Sequence, residues 1–118
     1  MRLSFFILLF GISCVFAAEK NSFEGIEYFI ERPADVGVFP AVVMIHGYQP
    51  EKDSIGGQEC LKWPVVQSLL EEKITTVAIS IPGFGESEGK RDYCGPIAQN
   101  AVIALIDHLK TLPFIDSN

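Results

Sequence analysis

Residues 38–49, VFPAVVMIHGYQ, decide how this chain is to be read. A run of apolar residues rich in valine and isoleucine breaks abruptly at His46-Gly47. A buried parallel strand that hands a loop to the edge of a site has this form: continuous apolarity, then a glycine that frees the backbone. A second unit of the same kind follows about thirty residues later. It is TTVAISIPGFGESEG at 75–89, again an apolar run that ends in glycines.

Working outward, residues 21–33, NSFEGIEYFIERP, alternate loosely between apolar and polar. Ile26, Tyr28 and Ile30 share one face, with Glu27, Phe29 and Glu31 on the other, which predicts a half-exposed edge strand. ADVG at 34–37 reads as a turn, and 39–45 as the first strand buried on both faces. The polar loop YQPEKDSIGGQEC leads to a helix over 63–73, with Pro64 in its first turn and Val65, Val66, Leu69 and Leu70 at helical spacing. Residues 74–81 form the second buried strand. The loop PGFGESEGKRDYC then leads to a helix over 96–110, in which Ile97, Ala101, Leu105 and Leu109 recur every four residues. Pro113 ends that pattern, and PFIDSN resembles the approach to another strand. Buried strands alternating with amphipathic helices predict an α/β fold, a mostly parallel sheet with flanking helices.

Residues 1–18 begin Met-Arg, continue through SFFILLFGISCVF and end at Ala17-Ala18. One positive charge, a short apolar core and small residues at the exit make a secretory signal peptide. Cleavage after Ala17 puts Val15 and Ala17 at the positions that prefer small side chains. The apolar core is too short for a membrane span, and no stable span is expected once the signal is removed. The competing reading is a lipoprotein anchored through Cys14, although Gly11 stands where such sites usually carry leucine. The expected location is therefore secreted or periplasmic. Residues 19–118 hold nearly all of the fifteen acidic and nine basic residues, so the mature chain is acidic and offers no nucleic-acid footprint. Cys60 and Cys94 fall in loops after successive strands, in a compartment that permits disulfides. A bridge between them and two free thiols both stay open. Two cysteines without paired histidines argue against a zinc site.

The apolar strand ending in HGY, the apolar strand ending in PGFGESEG and the helix AVIALIDHL running into PFID occur here in one order and spacing. In that order the chain resembles the α/β-hydrolase family, especially its dienelactone-hydrolase-like and acetyl-esterase-like branches, from about Gly25 onward. The resemblance implies an exported serine hydrolase of esterase or peptidase type that works through an acyl-enzyme, on a small-molecule ester or a peptide, with no cofactor or metal. It implies an oxyanion hole to which the backbone N–H of Tyr48 contributes, supported by His46 and Gly47. GESEG at 85–89 matches the G-x-S-x-G nucleophile elbow literally, with Ser87 in the serine position. An elbow is a tight strand-to-helix turn, whereas the helix here starts only at Pro96. Glu86 and Glu88 would also set two carboxylates against developing negative charge. Ser87 therefore reads as a turn residue.

The implied nucleophile, acid and base lie past Asn118, which makes 19–118 the N-terminal portion of the domain, truncated before the elbow. His108 and the acids Asp92, Asp107 and Asp116 precede that point and have no catalytic claim. As given, the chain is expected to be inactive. A different class of reading is a non-catalytic, exported binding protein or lipoprotein on the same fold. Nothing in the residues sets the oligomeric state.

Overall fold

The computed structural model describes residues 17–118. The signal-peptide reading and Cys14 thus fall, apart from Ala17 and Ala18, outside the described residues. Four strands form one sheet: β1 (Glu19–Phe23), β2 (Ile26–Glu31), β3 (Ala41–Ile45) and β4 (Thr75–Ile79). Their spatial order is β1-β2-β4-β3, with two helices, α1 (Val65–Glu71) and α2 (Pro96–Leu109). β3 and β4 are parallel, with Ile45 opposite Ile79, while β2 runs antiparallel to β1 and to β4. No helix among the described residues is long and apolar enough to cross a membrane.

The N-terminal part differs from the expected lone edge strand. β1 and β2 form a hairpin closed by Glu24 and Gly25, both in the left-handed region at φ 49° and 77°. A two-residue turn with both central φ positive matches the right-handed twist of the paired strands. β1 is EKNSF, with no apolar alternation to announce it. With β1 on its outer side, β2 becomes an inner strand, and Glu27 to Ile30 are all buried. The edges of the sheet are β1 and β3, and in β3 Val42 and Ile45 keep 37% and 45% of their surface exposed and only Met44 is buried. The strand buried throughout is β4.

Alternation along the strands divides the core in two. On one face Tyr28, Ile30, Val77 and Ile79 pack against Ala98, Leu105 and Leu109 of α2. On the other, Phe29, Met44 and Ala78 pack against Cys60 and Val66. The disulfide, one of the two readings left open, is not formed. Cys60 lies fully buried in the second cluster, Cys94 lies exposed at the approach to α2, and both thiols are free. Burial, reinforced by the charge of Glu59, pushes the Cys60 thiol up to about 11, so it stays protonated at neutral pH.

Beyond α2 the chain returns to the open side of β3. Phe39 and Ile115 form a parallel bridge: the Phe39 N–H donates to the Phe114 carbonyl, and the Asp116 N–H donates to the Phe39 carbonyl. The start of α2 is secured by Asp92. Its carboxylate accepts from the N–H groups of Ile97 at 2.6 Å and Ala98 at 3.1 Å, two donors that a helix cannot satisfy internally. Asp92→Ala is expected to cost about 1 kcal/mol, read as a lower urea midpoint at unchanged m-value. An unchanged midpoint would remove the cap from the account.

Candidate functional site

In a parallel sheet, ligands bind outside the carboxyl ends of the strands. Here those ends belong to β3 and β4, and the loops that leave them, 46–55 and 80–95, are tied together. His46 is buried. Its Nδ1 lies 2.7 Å from the Gly47 carbonyl oxygen, and its Nε2 lies 3.2 Å from the Ile81 amide nitrogen. A carbonyl only accepts and an amide N–H only donates, so the ring is neutral with its proton on Nδ1. The imidazole therefore clamps the end of β3 to the end of β4. Burial lowers its pKa, the Gly47 carbonyl partly opposes this, and the positive charge of Arg91 lowers it further.

Because the folded value lies below the ordinary 6.5, this group's contribution is fully present above about pH 6.5 and is lost as pH falls through the folded pKa. Wild-type stability should accordingly drop below about pH 6.5. His46→Gln should lack that component, as urea midpoints measured across pH 4.5–8 will show. Equal slopes in the two proteins would exclude His46 as the source.

After His46 the backbone opens. A Cβ on Gly47 would meet nothing within 4 Å. Tyr48 is 69% exposed, and among the described residues no acceptor meets its N–H. Gln49 turns back inward: its buried amide donates to the Gly56 carbonyl at 3.0 Å and accepts from the Gly56 N–H at 2.8 Å. Arg91 crosses from the second loop, donating to the Gln49 carbonyl at 2.8 Å and the Gly83 carbonyl at 2.9 Å. Its guanidinium lies over the Phe84 ring, which meets His46 edge-on.

Beneath these loops lies a buried polar network centred on Glu27. Its carboxylate accepts from the Ser80 hydroxyl at 2.7 Å and the Glu86 N–H at 3.3 Å, and Lys20 lies 3.4 Å away. The Ser80 oxygen in turn accepts from the Gly57 N–H at 2.8 Å. Ser87 belongs to the same layer. Its buried Oγ accepts from the Glu27 N–H at 2.8 Å and donates to the Ser80 carbonyl. A hydroxyl with its proton committed to a backbone carbonyl, and with no histidine against it, is not activated for attack.

The remaining candidates are dispersed. His108, half-buried on α2, stacks on Phe23 and lies 3.1 Å from the Tyr28 hydroxyl. Asp107 pairs with Lys110 on the exposed side of α2, and Asp116 accepts from the Asn118 N–H. The structure thus brings His46, Gly47 and Tyr48 together with Gln49, Phe84 and Arg91. Sequence reasoning missed the last three. Arg91 stood in a loop with charges of both signs, and nothing in its neighbours marked it as a clamp.

No protein-family model and no curated protein matches the chain. Among solved structures it is similar to one described as an alpha-beta serine hydrolase homologue from Coxiella burnetii. The TM-score is 0.55, at 20% identity, over 78% of this chain and 45% of that one. The chain spans less than half the length of that structure, and the likeness shows an α/β-hydrolase-like fold.

Proposed function

We propose that residues 19–118 are the N-terminal portion of an exported serine hydrolase, of esterase or peptidase type and allied to the dienelactone-hydrolase-like and acetyl-esterase-like branches. In this reading Tyr48 donates its backbone N–H to the oxyanion, and Gly47 leaves room for the substrate carbonyl. His46 holds the loop as a neutral clamp. Acyl transfer builds negative charge on a carbonyl oxygen, and a fixed amide donor stabilises that charge without reorganising. A serine from a later segment would attack, form an acyl-enzyme and release it to water. The residues that carry this role are backbone and neutral groups, and none of the chemistry calls for a metal or cofactor. A small-molecule ester or a peptide is the substrate class, and nucleic acid is not a partner of so acidic a chain.

The observation that carries the reading is the parallel bridge between Phe39 and Ile115. A segment continuing in that register runs along β3 and comes level with His46 about seven residues after Ile115, since strands pair residue for residue. A nucleophile placed on the turn there would stand beside the Tyr48 N–H. The test is to read the coding sequence beyond codon 118. A G-x-S-x-G within about fifteen residues, followed by a distant acid and histidine, supports the enzyme. A stop codon after Asn118 overturns it and favours an exported binding protein on the same fold. The committed Ser87 hydroxyl is the observation that speaks for that second reading.

Purified 19–118 is expected to hydrolyse no nitrophenyl acetate above the buffer rate. Turnover that disappears in Ser87→Ala would make Ser87 the nucleophile and refute the assignment. Mass spectrometry of the mature N-terminus reads export directly: a start at Ala18 or Glu19 supports signal cleavage, and a lipid on Cys14 supports anchoring.

A further inference from the structure

We propose that Arg91 is a positioning residue for the oxyanion loop: by gripping the Gln49 carbonyl it fixes the direction in which the Tyr48 N–H points. The inference rests on the oxyanion role given to Tyr48 above and names the side chain on which that role depends.

The Tyr48 N–H shares its peptide unit with the Gly47 carbonyl. A trans peptide is planar, with C=O and N–H on opposite sides, so whatever holds the carbonyl aims the N–H. His46 Nδ1 lies 2.7 Å from that oxygen, and the Tyr48 N–H is therefore turned away from His46. One bond leaves the unit free to swing, because little else touches it. No atom lies within 4 Å of where a Gly47 side chain would begin. The Tyr48 ring stacks on the Tyr93 ring, 17° from parallel with centroids 6.4 Å apart, but both rings are exposed, at 69% and 75%. Side-chain packing thus gives Tyr48 little support, and its backbone has to be held from the other side.

That hold comes at Gln49. Its amide, bonded to Gly56, anchors the side chain. The Gln49–Pro50 peptide has no N–H, so its carbonyl is the one polar handle on the main chain there. Arg91 Nη1 donates to that carbonyl at 2.8 Å, and Arg91 Nε donates to the Gly83 carbonyl at 2.9 Å. The guanidinium is planar, so the two bonds lock it between the loops. Its face lies 3.8 Å from the centre of the Phe84 ring, and that ring meets His46 edge-on at 4.9 Å. Tyr48 is bracketed, by His46 on the residue before it and by Arg91 on the residue after it. The charge acts in the same sense. A proton added to His46 Nε2 would face the Ile81 N–H, donor against donor, and release the clamp. Burial lowers the imidazole's pKa, and the positive charge of Arg91 lowers it further. A lysine would keep the charge without reproducing the fork to two carbonyls.

Two measurements test this, the first without catalysis. In the 118-residue chain, amide relaxation reads the order of the Tyr48 backbone and imidazole chemical shifts read the His46 pKa, for wild type, Arg91→Lys and Arg91→Met. The Tyr48 order parameter should fall below about 0.6 in both variants. The His46 pKa should rise in Arg91→Met and stay closer to wild type in Arg91→Lys. Circular dichroism establishes folding, and the lysine variant alone carries the order measurement where the methionine variant does not fold. Unchanged order at Tyr48 overturns the proposal. In the complete hydrolase, Arg91→Lys should lower kcat on a small activated ester at least about tenfold, with KM within about twofold. Added to Tyr48→Pro, whose N–H is already gone, it should cost less than about twofold. If Tyr48→Pro matches Tyr48→Ala, the oxyanion reading fails and this proposal falls with it. If Tyr48→Pro is costly but Arg91→Lys costs as much in the proline background as in wild type, the positioning role alone is overturned.

Discussion

Gly57→Ala is expected to destabilise the fold by about 3 kcal/mol. The segment 56–62 lies directly on the backbone of β4. A Cβ at Gly57 would stand 2.7 Å from the Ile79 carbonyl carbon and oxygen and 2.8 Å from the Ala78 carbonyl oxygen. These are main-chain atoms of the strand buried throughout, so no flexible side chain can swing aside. Relief requires the segment to lift, and lifting it stretches the bond from the Gly57 N–H to Ser80 and uncovers Cys60. The comparison is Gly47→Ala, where the added carbon meets nothing within 4 Å and the expected change is within about 0.5 kcal/mol. Urea midpoints decide it, and equal costs at both positions would mean that the close approach carries no energy.

The second large effect concerns catalysis in the complete hydrolase proposed above. Tyr48→Pro deletes the backbone N–H, and Tyr48→Ala removes the same ring but keeps the donor. The proline variant should fall about 100-fold below the alanine variant in kcat on a small activated ester, with a much smaller change in KM. Loss of one oxyanion donor costs about that much and acts only in the transition state. A gap of less than about threefold between the two would remove Tyr48 from the oxyanion hole.

The parts of the fold that were legible share one property, a dense periodic apolar signal. The strand at 41–45, the strand at 75–79 and the helix at 96–109 lie within two residues of where the pattern puts them. β1 was invisible because EKNSF contains a single apolar residue and its pairing partner lies across a turn. That one omission misplaced β2, since a strand is an edge or an inner strand only by virtue of its neighbours. Glu27 followed the same logic. An acid opposite an apolar face reads as solvent-facing, yet the second loop folds over it and turns it into the hub that Ser80, Glu86 and Lys20 meet. Among the site residues, HGY was legible as a strand giving way to a loop. Gln49 and Arg91 were not, because each acts on a carbonyl supplied by a residue distant in sequence.

The chain by itself determined its α/β class, the position of its two parallel strands and the place where a loop leaves each of them. These follow from local apolar periodicity and from glycines, which act within a few residues. Only the tertiary structure decided what those loops do. The neutral tautomer of His46, the committed hydroxyl of Ser87, the burial of Cys60 apart from the exposed Cys94 and the shared exposure of Tyr48 and Tyr93 all depend on which remote groups come together. Hydrogen-bond partners and burial are properties of that meeting, and no stretch of sequence carries them alone.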